Sequence, residues 1–155
     1  MSTLHEYTVN VTWTGNTGRG TKSYKHYERS HDLRVEGKQT IELSSDSSFM
    51  GDPSKHNPEE MLVYAVSSCH MLWYLHLCSV HKVVVEAYTD DAEGTMEEVE
   101  SGAGAFTSIV LKPKVVISAG DISAATRLHE DAHKYCFIAN SLKVPVDVCA
   151  SVVVK

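Results

Sequence analysis

Cys69 stands in an almost unbroken apolar run, Met61 to Val80, that follows directly on His56-Asn57-Pro58-Glu59-Glu60. A thiol there is either inert packing or a reaction centre. The residues before the run form a helix start: Asn57 can accept an unpaired backbone N–H, Pro58 suits the first helical position, and two carboxylates favour the positive helix end. Cys69 then lies about three turns in, beyond the reach of the helix dipole, so activating its thiol requires an external cation. Cys78 is nine positions further on, about 180° around the helix, and cannot pair with it. Cys78 and Cys149 are therefore expected to pack. A second constellation, His129-Glu130-Asp131-Ala132-His133, satisfies H-E-x-x-H, and Cys136 continues the same helical face. Zinc held by His129, His133 and Cys136 is the chemistry that spacing admits. Against it, no histidine or glutamate follows His133 as a further ligand, and surface histidines on an amphipathic helix are the simpler expectation. His70 points about 100° away from Cys69 and reads as a core or interface histidine, and His56 as a possible helix cap.

The elements that must position these groups alternate between sheet and helix. Tyr7, Val9, Val11 and Trp13 predict a half-buried strand ending at the glycine-rich turn Gly15–Gly20, with a return segment over Thr21–His31 and a further strand around Thr40–Leu43. Ser44–Lys55 is rich in turn formers and predicts a loop. After the long helix, Val83–Tyr88 reads as a strand, Thr89–Gly104 as an acidic surface loop, and Phe106–Ser118 as a strand with Pro113 at an edge or bulge. Asp121 opens a second helix reaching about Cys136, and Val144, Val146 and Val148 begin a final strand. The expected fold class is α+β, with antiparallel sheets around long helices in a single domain spanning 1–155.

Composition narrows the function. A formal charge of −6 without a basic cluster argues against a nucleic-acid partner. Ser67, Ser68, His70 and His76 interrupt the apolar run, so a buried helix is favoured over a membrane span. The N-terminal residues lack the basic flank and apolar block of a signal peptide, and the four cysteines lack the spacing of a disulfide framework. A cytoplasmic protein is expected, in which any disulfide is transient. Apolar residues surround the axis of the long helix, and a domain of 155 residues has little material to cover about 35 Å of it. A partner subunit is the expected cover, the alternative being a sheet wrapped round the helix within one chain.

The stretches Asn57–Leu62, Ser68-Cys69-His70 and Cys136–Ser141 together resemble the OsmC/Ohr family of thiol-dependent hydroperoxide reductases, and Trp13–Tyr27, Ser45–Asp52 and His70–Leu75 resemble an OsmC-like subgroup. The resemblance implies an intertwined α+β homodimer that reduces organic hydroperoxides to alcohols with a dithiol reductant, such as a lipoyl group, and no bound cofactor. Residue by residue, it implies that Cys69 attacks the peroxide, Cys136 resolves the product, and Glu59 is the acidic residue of the Asn-Pro-Glu motif. The family places its activating arginine either in the early hairpin loop or just before Asn-Pro-Glu. Met50 occupies the second place here, which leaves Arg19 in the glycine turn and Arg29 in Tyr27-Glu28-Arg29-Ser30-His31 as candidates. A family member that keeps the fold for binding or a stress role, without turnover, is the remaining alternative. Ten residues of continuous helix separate Glu59 from Cys69 by about 15 Å, so a shared site would draw Glu59 from the other subunit.

Overall fold

The alternating residues near the start of the chain form β1 (Asn10–Trp13), which pairs antiparallel with β2 (His31–Arg34), which in turn pairs antiparallel with β3 (Ile41–Leu43). These strands lie in the first of two units, Met1–Met61 and Leu62–Lys155, that make up the computed structural model, which describes Met1–Lys155 throughout. The return segment expected over Thr21–His31 becomes strand only at its end, where β2 begins at His31. Thr14–Ser30 is a loop, because its backbone bonds to itself: Trp13 Nε1 donates to the Glu28 carbonyl at 2.9 Å and the Glu28 N–H to the Gly15 carbonyl at 2.9 Å. Gly15 is required by that closure, since a Cβ there would fall 1.9 Å from the Glu28 carbonyl oxygen. Tyr7, Val9 and Val11 are exposed, so the half-buried face expected of this strand is uncovered here. Ser44–Lys55 is the expected loop, with one 3₁₀ turn (Ser47–Phe49).

The first helix, α1 (Pro58–Val80), begins where the sequence places it. Asn57 Oδ1 accepts the Glu60 N–H at 2.9 Å and Glu60 Oε2 accepts the Asn57 N–H at 3.3 Å, a reciprocal capping box. Beyond its first turn α1 belongs to the second unit. Only one row of it is buried, Val66, His70, Tyr74 and Cys78 at four-residue spacing. Tyr64 and Leu72 stay 66% and 61% exposed, so burial on all sides is not achieved within the chain, nor does a sheet wrap the helix.

The rest of the second unit is β4 (Val84–Asp90), β5 (Glu93–Glu98), β6 (Gly104–Leu111), β7 (Pro113–Ala119), α2 (Ile122–Tyr135), α3 (Phe137–Asn140), β8 (Val146–Val148) and β9 (Ser151–Val154). Three expectations are corrected. β5 replaces part of the acidic loop; all its residues are exposed, so no apolar alternation announces it, and pairing with β6 alone makes it a strand. Phe106–Ser118 is two strands, β6 and β7, because Pro113 opens β7, a position where its missing N–H is tolerated; β7 is central, between β4 and β9. The final strand is likewise divided, and Cys149, expected to pack, is exposed at the break between β8 and β9.

The sheets β4-β7-β9 and β5-β6-β8 are mixed, since β8 runs parallel to β6 and β9 parallel to β7. One alignment serves both: the partner of each residue lies 37 positions further along the chain, Ile109 with Val146 in one sheet and Lys114 with Ser151 in the other. Asp121 caps α2 by accepting the Ala124 N–H at 2.7 Å. Ala125, Leu128 and Ala132 of α2 then pack with Tyr74, Cys78, Val83, Val115 and Ile117, while Val66, Ile109 and Leu111 centre a second cluster.

Removing the cap that starts α1 tests the local account. Asn57→Ala leaves the Glu60 N–H without its side-chain acceptor and is expected to lower stability by about 1–2 kcal/mol, read as a lowered denaturant midpoint with an unchanged slope.

Candidate active site

α1 and α2 meet through polar contacts in reversed order, so the helices are antiparallel. The Cys136 thiol donates weakly to the Val66 carbonyl at 3.9 Å, His70 Nε2 and His129 Nδ1 share a hydrogen bond of 3.0 Å, and the Tyr74 hydroxyl donates to the Ala125 carbonyl at 3.0 Å. These rungs recur every turn along the buried row of α1. Cys69 lies between the first two.

The fold makes Cys69 and Cys136 neighbours. Cys136 is the boundary residue of α2 and α3, with its Sγ accepting the Ala139 N–H at 3.5 Å and its side chain neighbouring that of Cys69. Cys136 is buried and Cys69 half-buried. Burial pushes the Cys136 thiol up to about 11, the Ala139 N–H opposes this, and the neighbouring Cys69 adds to it. In the reduced protein Cys136 is therefore a thiol at neutral pH. Trp73, one turn beyond Cys69, stacks on Tyr135 with centroids 5.2 Å apart and meets Phe137 edge-on at 5.4 Å, so aromatic rings flank the pair. Cys78 is buried as expected, its thiol raised by burial.

His129 departs from expectation. It is buried, stacked on Tyr74 with centroids 3.8 Å apart and nearly parallel to His70 at 5.3 Å. Burial lowers both imidazoles, His70 to about 4 and His129 to about 3; the nearby His133 also lowers His70, and the nearby Asp90 opposes that. Asp90 is held by the Ser67 hydroxyl at 2.5 Å and the Lys112 N–H at 2.6 Å. His129, His133 and Cys136 do not converge, and no three His, Cys, Asp or Glu side chains form a group that could hold a metal ion. Sequence reasoning missed the Val66 carbonyl, the Ala139 N–H and Ser67–Asp90; a backbone partner leaves no mark in residue type.

The candidate cations and Glu59 lie in the first unit. Arg29 is half-buried, its guanidinium 4.3 Å from the Tyr24 ring centroid and 3.9 Å from that of Tyr27, and it donates to the Tyr24 and Tyr27 carbonyls. With Lys25, Glu28, Met50, Asp52 and Lys55 it lines an open cavity of about 380 Å³. Arg19 is exposed between Gly18 and Gly20, both of positive φ, and Glu59 is half-buried in the first turn of α1. The second unit contains one arginine, Arg127, exposed and bonded to Ser123.

A family model described as OsmC-like protein matches residues 51–150. Among solved structures, an OsmC-like protein of unknown function from Vibrio cholerae is 31% identical over 97% of this chain and 100% of its own, with a TM-score of 0.83. An OsmC-like protein from Mycoplasma pneumoniae shares the fold at 11% identity over 96% of this chain and 98% of its own, with a TM-score of 0.73. An organic hydroperoxide resistance protein from Elizabethkingia anophelis, 21% identical with full coverage of both chains, also shares it at a TM-score of 0.65. No curated protein matches.

The buried imidazoles carry a pH signature. Their folded values lie below the ordinary 6.5, so as pH falls the unfolded chain binds protons first. Their contribution is full above about 6.5 and declines toward 4 and 3. The loss is on the order of 3 kcal/mol for His70 and 5 kcal/mol for His129. The denaturant midpoint should fall accordingly on acidification, and the paired replacement of His70 and His129 by Leu should remove that part of the slope.

Proposed function

The chain belongs to the OsmC/Ohr family, and from that premise we propose that it is a cysteine-based peroxidase reducing organic hydroperoxides to alcohols. The observation that carries the reading is the adjacency of Cys69 and Cys136, two free thiols of unequal exposure. The more accessible Cys69 thiolate attacks the outer peroxide oxygen. The O–O bond breaks, the alcohol leaves with a proton, and Cys69 becomes a sulfenic acid. The Cys136 thiolate then attacks the Cys69 sulfur, the S–O bond breaks, and the departing hydroxide takes a proton to leave as water. A dithiol reductant, of lipoyl type, returns both thiols by two exchanges and leaves as its own disulfide. The name of the Elizabethkingia relative supports hydroperoxides as the substrate class.

Oxidation also releases the second step. Part of what holds Cys136 protonated is the adjacent Cys69, and the charge part of that influence ends once the neighbour is a neutral sulfenic acid. Burial remains, so closure of the disulfide is the step expected to be slow.

A thiolate at Cys69 needs a cation, and arginine keeps its charge when desolvated. Arg29 is the better candidate, because two rings and two carbonyls already fix its guanidinium, whereas Arg19 is exposed in the glycine turn. A homodimer is part of the proposal: the exposed apolar face of α1 needs a cover, and with α1 unbroken from Pro58 to Val80 Glu59 would serve the Cys69 of the partner. The cytoplasm, where the thiols stay reduced, is the proposed compartment.

Cys69→Ser is expected to abolish peroxide consumption. Cys136→Ser should consume one equivalent and stop at the sulfenic acid, and normal turnover of that variant with a dithiol would refute the two-cysteine scheme. The arginines are separated by alkylation of Cys69 against pH. Arg29→Ala should slow it about tenfold near neutrality and less at high pH, as expected when a thiolate loses its cation, with Arg19→Ala nearly unchanged; the reverse pattern would assign the role to Arg19.

A further inference from the structure

The middle rung between α1 and α2 is chemically odd. His70 and His129 are 0% and 4% exposed, and after their shared hydrogen bond His70 Nδ1 and His129 Nε2 have no partner. Whichever tautomers are chosen, one buried N–H donor is left without a protein partner, which disfavours the arrangement. Two leucines would fill similar space without that penalty, so the imidazoles supply something an apolar contact does not. We propose that the His70–His129 pair is a positioning element, holding α1 and α2 at the register in which Cys69 and Cys136 are neighbours, and so governing closure of the disulfide and not the attack on peroxide. The proposal rests on the thiol chemistry given above.

The argument is geometric. Apolar contact is non-directional, whereas a hydrogen bond of 3.0 Å fixes one relative placement of its two partners. His70 is the residue after Cys69, so displacing the rung displaces the backbone that carries the sulfur. His129 lies two turns before Cys136 on α2, and its ring cannot tilt freely with Tyr74 stacked 3.8 Å away. The flanking rungs are weaker guides: Cys136 itself must leave the Val66 carbonyl to react, and Tyr74 reaches only the far end of the pair. Disulfide formation needs such control, because the bond tolerates only a narrow range of Cα separation and dihedral angle.

The test separates the two steps. With one equivalent of tert-butyl hydroperoxide, His129→Leu should form the sulfenic acid, trapped by dimedone, at close to the wild-type rate. Disulfide closure, followed by intact mass, should slow by roughly ten- to a hundredfold. His129→Gln, which can keep a polar link to His70, should recover most of that rate. Equal slowing of both steps, or wild-type closure in folded His129→Leu, would overturn the proposal. If the single variant does not fold, the His70→Leu/His129→Leu double variant removes both polar groups together and is still expected to close slowly; wild-type closure there overturns it. Closure is also measurable without peroxide. Cys69 is converted to a mixed disulfide with thionitrobenzoate, and release of the second thiolate reports attack by Cys136. Slowed release in His129→Leu supports the positioning role even if peroxide itself proves not to react, an outcome that would count against the peroxidase reading alone.

Discussion

Of all the apolar surface on α1, a single row is fully buried within the second unit, and three of its four residues make polar contacts to the segment from Ala125 to Cys136. A backbone carbonyl at Val66, an imidazole at His70 and a phenol at Tyr74 each find one partner on the segment from Ala125 to Cys136. Ring stacking holds the two helices apart at side-chain length, so their alignment depends on directional bonds more than on ridges fitting grooves. The two apolar clusters supply the bulk of the stabilisation. They say less about where along its axis one helix stops against the other.

That alignment determines which sulfur meets which. Cys78, on the same helix and equally a thiol, is enclosed by the apolar cluster of Tyr74 and Ala125, whereas Cys69 reaches the helix boundary where Cys136 sits. The environments are unequal by construction. One thiol is sealed and raised by burial while its neighbour retains access to solvent. A pair of adjacent thiolates, which would repel each other, is thereby avoided in the reduced state.

Most of the helical framework was legible because its signals are local. Asn57-Pro58-Glu59-Glu60 and Asp121 carry their capping chemistry in the residues themselves, and both helices start where those residues stand. β5 was not legible, since a strand exposed on both faces differs from a loop only in having a partner. The division at Pro113 was ambiguous for a related reason: proline marks an interruption but does not say whether the chain bulges or changes sheets. Cys69 and Cys136 could be named from the resemblance, yet the buried state of His129 could not, because its helix reads as amphipathic until Tyr74 and His70 are seen on the other side of it.

The two breaks at Lys112 and Cys149–Ala150 stand side by side, and the offset of 37 residues is unchanged across them. β6–β7 and β8–β9 are therefore one parallel ribbon folded over a common crease. A shift of one residue in one sheet would turn every side chain of that strand to the wrong face, and here it would force the same fault on the other sheet through the crease. Misalignment is thus penalised in two cores at once. Strands of only three and four residues, too short to select their own partners reliably, read as a single longer word.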